Sequence, residues 1–123
     1  MGPCAAAVVL YIGHMVKALT PQQAHQLIQA GEVEVIDVRE PHEWSEGHLE
    51  GARLVPLGQL RANPRATIQR DGVIFVCAAG VRSETAARLA SSLGFASVYN
   101  LTGGTRAWVR DGFALVNELS VAV

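Results

Sequence analysis

Residues 73–83, with the sequence VIFVCAAGVRS, decide the fold. Four consecutive apolar residues, Val73–Val76, are typical of a central parallel strand that is covered on both faces. This strand ends at Cys77, and a glycine-containing loop leads directly into a helical pattern that runs to Leu93 and stops at Gly94. A strand that passes through a tight loop into a helix is the unit from which parallel α/β sheets are built.

Strand and helix patterns alternate on both sides of this unit. In chain order, the sequence predicts a helix over 20–31, a strand over 33–37, a short helix from Pro41, a short strand over 52–55, a weak helical pattern over 57–68 that Asn63-Pro64 interrupts, a strand over 97–100 and a last helix after Gly103-Gly104. Thr20 and Gln23 form a capping box for the first helix. The pattern indicates an α/β fold with a mostly parallel sheet.

Composition limits the class of protein. The chain has 123 residues, half of them hydrophobic and 17% charged, which suits one domain with a buried core. Ten Lys+Arg against eleven Asp+Glu leave no basic excess for nucleic acid. No apolar run approaches the roughly 18 residues of a membrane span. Two cysteines, Cys4 and Cys77, are typical of a reducing compartment, so we expect a cytoplasmic protein that binds neither nucleic acid nor membrane.

The first fourteen residues are interpreted separately. Residues 4–12 are apolar and about as long as the core of a signal peptide, but no charged residue precedes Lys17, and the lack of a basic n-region argues against a secretory signal. Gly13-His14-Met15 resembles the scar of an expression vector in front of an initiator methionine. We therefore interpret residues 1–14 as vector-derived and residues 15–123 as the domain. A native apolar arm that packs on the domain or on a partner is the alternative.

The loop after the central strand is the candidate site. A loop that curls into a helix N-terminus directs several backbone N–H groups at one point and adds the positive end of the helix dipole. Similar settings lower a cysteine pKa to roughly 3.5–7.5 from about 8.5. Cys77 is therefore expected to be a thiolate, with an additional positive charge from Arg82. The competing interpretation is an inert buried cysteine that acts as a small hydrophobic residue.

Four ordered motifs then carry a family resemblance. Residues 37–44 (DVREPHEW) and 47–52 (GHLEGA) resemble the D-x-R and G-H-I/L-x-G-A signatures of rhodanese domains, the sulfurtransferase family. Residues 77–83 (CAAGVRS) resemble the active loop C-x-x-G-x-R-S/T, and residues 101–108 (LTGGTRAW) resemble the closing G-G-x-x-A-W. The resemblance covers residues 17–116.

The resemblance implies a five-stranded parallel sheet with helices on both faces, in three α/β/α layers. It also implies that Cys77 is the nucleophile and takes a sulfur atom as a persulfide, without a metal or an organic cofactor. The donor would be a small anionic sulfur compound such as thiosulfate or a persulfide-bearing protein, and the acceptor cyanide or a thiol. The loop that would hold the sulfur consists of Ala78, Ala79, Gly80, Val81 and Arg82.

Two alternatives to an active sulfurtransferase remain open. One is a binding or sulfur-relay module with the same fold. Ala78 and Ala79 favour a persulfide carrier, because efficient thiosulfate enzymes of the family often have a basic or polar residue here. The other is a phosphatase or arsenate reductase. The related dual-specificity phosphatases have one residue more in the loop, and the six residues from Cys77 to Arg82 should fit a sulfur atom and crowd a phosphate.

Asp37, Arg39 and Ser83 are assigned supporting roles, and the expected ion pair is Asp37–Arg82. His48 is interpreted as a structural hydrogen-bonding residue rather than a general base, because an ionised thiolate needs no base. His42 and His48 match no standard spacing of metal ligands, so no metal site is predicted.

Overall fold

A five-stranded parallel sheet with helices on both faces organises residues 15–117, the part of the chain that the computed structural model describes. The strands are β1 (Lys17–Leu19), β2 (Glu34–Asp37), β3 (Arg53–Leu54), β4 (Val73–Val76) and β5 (Val98–Leu101). The helices are α1 (Pro21–Ala30), α2 (Pro41–Ser45), α3 (Leu57–Ala62), α4 (Pro64–Thr67), α5 (Val81–Ser92) and α6 (Gly104–Arg110). The interpretation of residues 1–14 falls outside the described residues.

The strand order is β1-β5-β4-β2-β3, and every pair is parallel. β4 is central and all four of its residues are buried, as its unbroken apolar run predicts. The predicted fold class is therefore confirmed. Strand β1 was not among the elements predicted from hydrophobic patterning, because three residues are too few to show a period.

Each face of the sheet carries its own core, because successive strand residues point to opposite faces. On one face, Phe75 and Ile36 pack with Leu60 of α3 and with the alanines of α5. On the other face, Ile74 packs with Ala24 of α1 and Trp108 of α6, among others. The small side chains of α5 let this helix lie close to the sheet directly after the Cys77 loop.

The local signals at the helix ends explain where the segments begin and end. Thr20 and Gln23 form the predicted capping box at the start of α1, and Gly31 ends that helix with φ +74°. Asn63 separates α3 from α4, where the weak helical pattern is interrupted. Because all strands are parallel, Asp37, Cys77 and the residues that follow β5 lie at the same edge of the sheet. None of the helices within residues 15–117 has the length and apolar character to span a membrane.

Candidate active site

The thiol of Cys77 lies just beyond β4, inside the loop that leads into α5. Its Sγ accepts a hydrogen bond from the backbone N–H of Gly80 at 3.1 Å and from that of Ser83 at 3.4 Å. The hydroxyl of Ser83 is 3.3 Å from the same sulfur. Gly80 precedes α5 with φ +98°, a conformation that favours glycine and turns the chain back over the sulfur.

These donors determine the ionisation of the sulfur. Burial raises the pKa of Cys77, whereas hydrogen bonds from Ser83 and from the backbone N–H groups of Ala79 and Gly80 lower it. The lowering contributions prevail, so the pKa of Cys77 lies below its ordinary value. The loop therefore stabilises a thiolate at a buried position, since Cys77 is only 1% exposed.

The start of α6 fixes the direction of the loop peptides. The N–H of Thr105 donates to the Cys77 carbonyl at 2.8 Å, and the N–H of Arg106 donates to the Ala78 carbonyl at 3.1 Å. Because a trans peptide is planar, a carbonyl held towards α6 directs the N–H of the same peptide the opposite way. Gly104 permits this close approach, because a Cβ there would lie 2.5 Å from the carbonyl carbon of Ala78.

Asp37 pairs with Arg39, and the predicted Asp37–Arg82 ion pair is wrong. Arg39 Nη2 lies 2.8 Å from Asp37 Oδ2, and Arg39 Nε lies 3.0 Å from both carboxylate oxygens. The backbone N–H of Arg39 also donates to Asp37 at 3.0 Å, so a two-residue turn closes the pair. Arg39 donates further to the carbonyls of Glu43 and Gly47, and it thereby fixes α2 against the end of β2.

The actual partner of Arg82 is Glu43 of α2. The two guanidinium nitrogens of Arg82 lie 2.8 and 2.9 Å from the two carboxylate oxygens of Glu43, a bidentate pair. The hydrogen bonds from Arg82 are the main reason why the pKa of Glu43 falls to about 2. The positive charge expected from Arg82 is therefore compensated by a carboxylate.

Comparison with known proteins agrees with this geometry. The family model of the rhodanese-like domain matches residues 20–111. This chain belongs to the rhodanese-like domain family. It is 36% identical to the Bacillus subtilis protein YqhL over 101 residues, which cover 80% of this chain and 77% of YqhL. It is 35% identical to the thiosulfate sulfurtransferase GlpE of Stutzerimonas stutzeri over 92 residues, which cover 75% of this chain and 84% of GlpE.

One solved structure is informative about the range of the fold. A Rhodopseudomonas palustris protein of unknown function, described as a possible tyrosine phosphatase, superposes on this rhodanese-like domain with a TM-score of 0.74. The two sequences are 28% identical, and the match covers 90% of this chain and 92% of that one. The shared fold therefore does not by itself assign a reaction to this chain.

The loop residues of this rhodanese-like domain lie at different depths around the sulfur. Ser83 is fully buried, Ala78, Gly80 and Arg82 are partly buried, and Ala79 and Val81 are exposed at the rim. The exposed side chains of Ala79 and Val81 are apolar and add no charge to this part of the loop.

His48 was a candidate from the sequence, whereas Glu43 and Asn100 were not recognised there as parts of the site. His48 stacks on Trp44 and its Nδ1 lies 3.0 Å from the Trp44 carbonyl, in agreement with the structural interpretation. Patterning missed Glu43, although its position three residues after Glu40 marks a capping box. It also missed Asn100, a buried polar residue at the end of β5 whose amide contacts the loop.

Proposed function

We propose that this rhodanese-like domain is a sulfurtransferase that carries sulfane sulfur as a persulfide on Cys77. The observation that carries the proposal is the position of Sγ, which accepts hydrogen bonds from the N–H groups of Gly80 and Ser83 at the end of the central strand. Such fixed donors stabilise an anionic sulfur without reorganisation during the reaction. The resemblance of the chain to GlpE, a thiosulfate sulfurtransferase, points to the same chemistry.

The reaction has two displacement steps. In the first, the Cys77 thiolate attacks the outer sulfur of the donor, a bond forms between the two sulfurs, and the donor's own S–S bond breaks. With thiosulfate the leaving group is sulfite, and with a persulfide it is a thiolate. In the second step, cyanide or an acceptor thiolate attacks the outer sulfur of the Cys77 persulfide. The S–S bond breaks and its electron pair restores the thiolate, so no external oxidant, reductant or cofactor is consumed.

The paired charges of the site bear on the donor. Arg82 is neutralised by Glu43, and Arg39 is neutralised by Asp37. Neither of these two arginines therefore has an unpaired positive charge that could bind a dianion such as thiosulfate. The neutral side chains of Ala78 and Ala79 add no charge either. These features favour a donor with its charge on the terminal sulfur, such as the persulfide of a small thiol or of a partner protein, with a thiol as the acceptor.

The test is the intact mass of the protein after incubation with thiosulfate and, separately, with glutathione persulfide. We expect a gain of one sulfur atom that cyanide removes, and a faster gain with the persulfide. The matched control is Cys77→Ser, which keeps the size and the loop but offers no thiolate. Absence of any added sulfur with either donor, or an equal gain in the control, would contradict the proposal.

A phosphatase is the second candidate, because of the structural similarity to the possible tyrosine phosphatase. The size of the six-residue loop from Cys77 to Arg82 argues against it. A phosphate on Sγ has three further oxygens, each of which needs a donor, whereas a persulfide adds one atom. An unsatisfied charged acceptor costs a few kcal/mol, and roughly 1.4 kcal/mol corresponds to a tenfold change in rate. Release of phosphate from an aryl phosphate that exceeds sulfur transfer, and that is lost in Cys77→Ser, would favour the phosphatase.

A further inference from the structure

The side-chain amide of Asn100 connects Gly80 of the Cys77 loop with Ser83 in the first turn of α5. Its Nδ2 donates to the carbonyl of Gly80 at 3.1 Å, and its Oδ1 lies 2.6 Å from the hydroxyl oxygen of Ser83. A carbonyl oxygen only accepts, so Nδ2 must face Gly80 and Oδ1 must face Ser83. The orientation of the amide is therefore fixed by its neighbours, and Asn100 is buried with 8% exposure.

The hydroxyl of Ser83 has one proton and two possible acceptors. One is Asn100 Oδ1 at 2.6 Å and the other is Cys77 Sγ at 3.3 Å. A carboxamide oxygen and a thiolate both accept hydrogen bonds and cannot donate them. The proton can therefore satisfy only one of them at a time. When Sγ is an uncharged thiol, the short contact to Asn100 holds the proton, and when Sγ is a thiolate the proton can turn towards sulfur.

We infer that Asn100 is a positioning residue that competes with Cys77 for the hydroxyl proton of Ser83. It thereby favours states in which Sγ is uncharged. The next step rests on the proposed function: the persulfide is a state in which Sγ carries no charge. Its negative charge lies on the outer sulfur, so the inner Sγ no longer needs the hydroxyl and Ser83 donates to Asn100 again. Asn100 then stabilises the sulfur-loaded site relative to the free thiolate.

Four charged groups around the loop are held in two ion pairs. Arg82 is the charged residue of the loop itself and is paired with Glu43, while Asp37 at the end of β2 is paired with Arg39. The strand β5 contributes Asn100, which is uncharged, and the start of α6 contributes backbone N–H groups to the loop carbonyls. Replacing Asn100 removes neither these four charged groups nor the backbone N–H groups that donate to Sγ.

The test compares the rate of Cys77 alkylation by iodoacetamide against pH in four proteins: the unchanged chain, Asn100→Leu, Ser83→Ala and the double variant. Leucine is close to asparagine in size and can neither donate nor accept. We expect the inflection of Asn100→Leu to move down by about one pH unit, which makes alkylation about tenfold faster below it. We expect Ser83→Ala to move the inflection up, and the double variant to match Ser83→Ala, because Asn100 acts through Ser83. Asn100→Ala repeats the test with less bulk in case the leucine does not fit.

The direction in which the alkylation inflection moves shows whether Asn100 competes for the Ser83 proton or only holds the loop in place. Loosening the loop would weaken the N–H donors to Sγ and move the inflection up, the opposite of the expected change. An unchanged or raised inflection in Asn100→Leu and Asn100→Ala would overturn the inference, and so would a downward shift that persists in the Ser83→Ala background. Alkylation requires no sulfur donor, so a chain that takes up no sulfur would refute the proposed function without deciding this test.

Discussion

Replacing Gly104 by alanine should disrupt the Cys77 loop, although Gly104 lies in α6 and not in the loop. Gly104 begins α6 with φ +62°, and an added Cβ would lie 2.5 Å from the carbonyl carbon of Ala78 and closer still to the Cys77 carbonyl oxygen. Both neighbours are backbone, so no side chain can rotate out of the way. The matched control is Gly51→Ala, because Gly51 has φ +82° and a Cβ added there would meet nothing within 4 Å.

The two variants share one cost and differ in a second. A left-handed conformation costs alanine about 1–2 kcal/mol, which applies to both positions. At Gly104 the displaced carbonyls also lose the hydrogen bonds from Thr105 and Arg106, each of which contributes about 1 kcal/mol. We expect Gly104→Ala to lose about 3–4 kcal/mol of unfolding free energy and Gly51→Ala about 1–2 kcal/mol. At roughly 4 °C per kcal/mol, between the values for smaller and larger domains, the melting temperatures should differ by about 8 °C.

Gly104→Ala should also change the chemistry of Cys77. If the added Cβ displaces the carbonyl of Ala78, the peptide group between Ala78 and Ala79 turns and its N–H moves away from Sγ. That N–H is one of the donors that lower the pKa of Cys77. We therefore expect Gly104→Ala, assayed well below its melting temperature, to show a higher pH inflection of Cys77 alkylation and little persulfide by intact mass. Gly51→Ala should match the unchanged protein in both assays. A Gly104→Ala protein with normal alkylation and sulfur uptake would refute this account of how α6 orients the loop.

Three further predictions concern the sulfur and the two ion pairs. The alkylation inflection of Cys77 should lie below the free-thiol value of about 8.5, because its hydrogen bonds outweigh burial; a value at or above 8.5 would contradict the geometry. Glu43→Gln should lower the unfolding free energy at pH 7 by about 1–2 kcal/mol, after allowance for solvent screening of a partly exposed pair. Because folding lowers the pKa of Glu43 to about 2, its contribution is complete above the unfolded pKa near 4.5 and is lost as pH falls towards 2. The urea midpoints of variant and unchanged protein should converge over that range, and a constant gap would be evidence against the ion pair. Asp37→Asn should cost about 3–5 kcal/mol in urea unfolding, because it leaves the buried Arg39 charge without its partner; a loss under about 1 kcal/mol would exclude this role.

Much of the fold could be predicted because its strongest signals are local. The run Val73–Val76 predicted a central strand, and Thr20 with Gln23 predicted the start of α1. The interruption at Asn63 also lies where the sequence placed it. Strand β1 carried no such signal, since its three residues pair only with β5 at the edge of the sheet. Its place depends on a partner about eighty residues away, which patterning does not detect.

The charged residues around the site show a different limit. Sequence motifs identified Asp37, Arg39 and Arg82 as residues near the loop, but the predicted pairing was wrong. Asp37 has two arginines within reach of the same sheet edge, and the choice between them depends on the turn that brings Arg39 back onto it. Glu43 takes Arg82 only because α2 begins where it does, with Glu43 in its first turn. Pairing of this kind is a property of the folded backbone.

The pairing also explains how a buried thiolate is stabilised here. With Arg82 bound to Glu43 and Arg39 bound to Asp37, the hydrogen-bond donors at Sγ are uncharged: backbone N–H groups of the loop and of Ser83, and the hydroxyl of Ser83. Dipoles held by the backbone act over short distances, and added salt screens them far less than it screens separated surface charges. These dipoles do not attract a sulfur donor according to its total charge, whereas an unpaired arginine would. The site therefore stabilises negative charge on Sγ itself rather than attracting anions in general, and this is what the thiolate nucleophile of the proposed sulfur transfer requires.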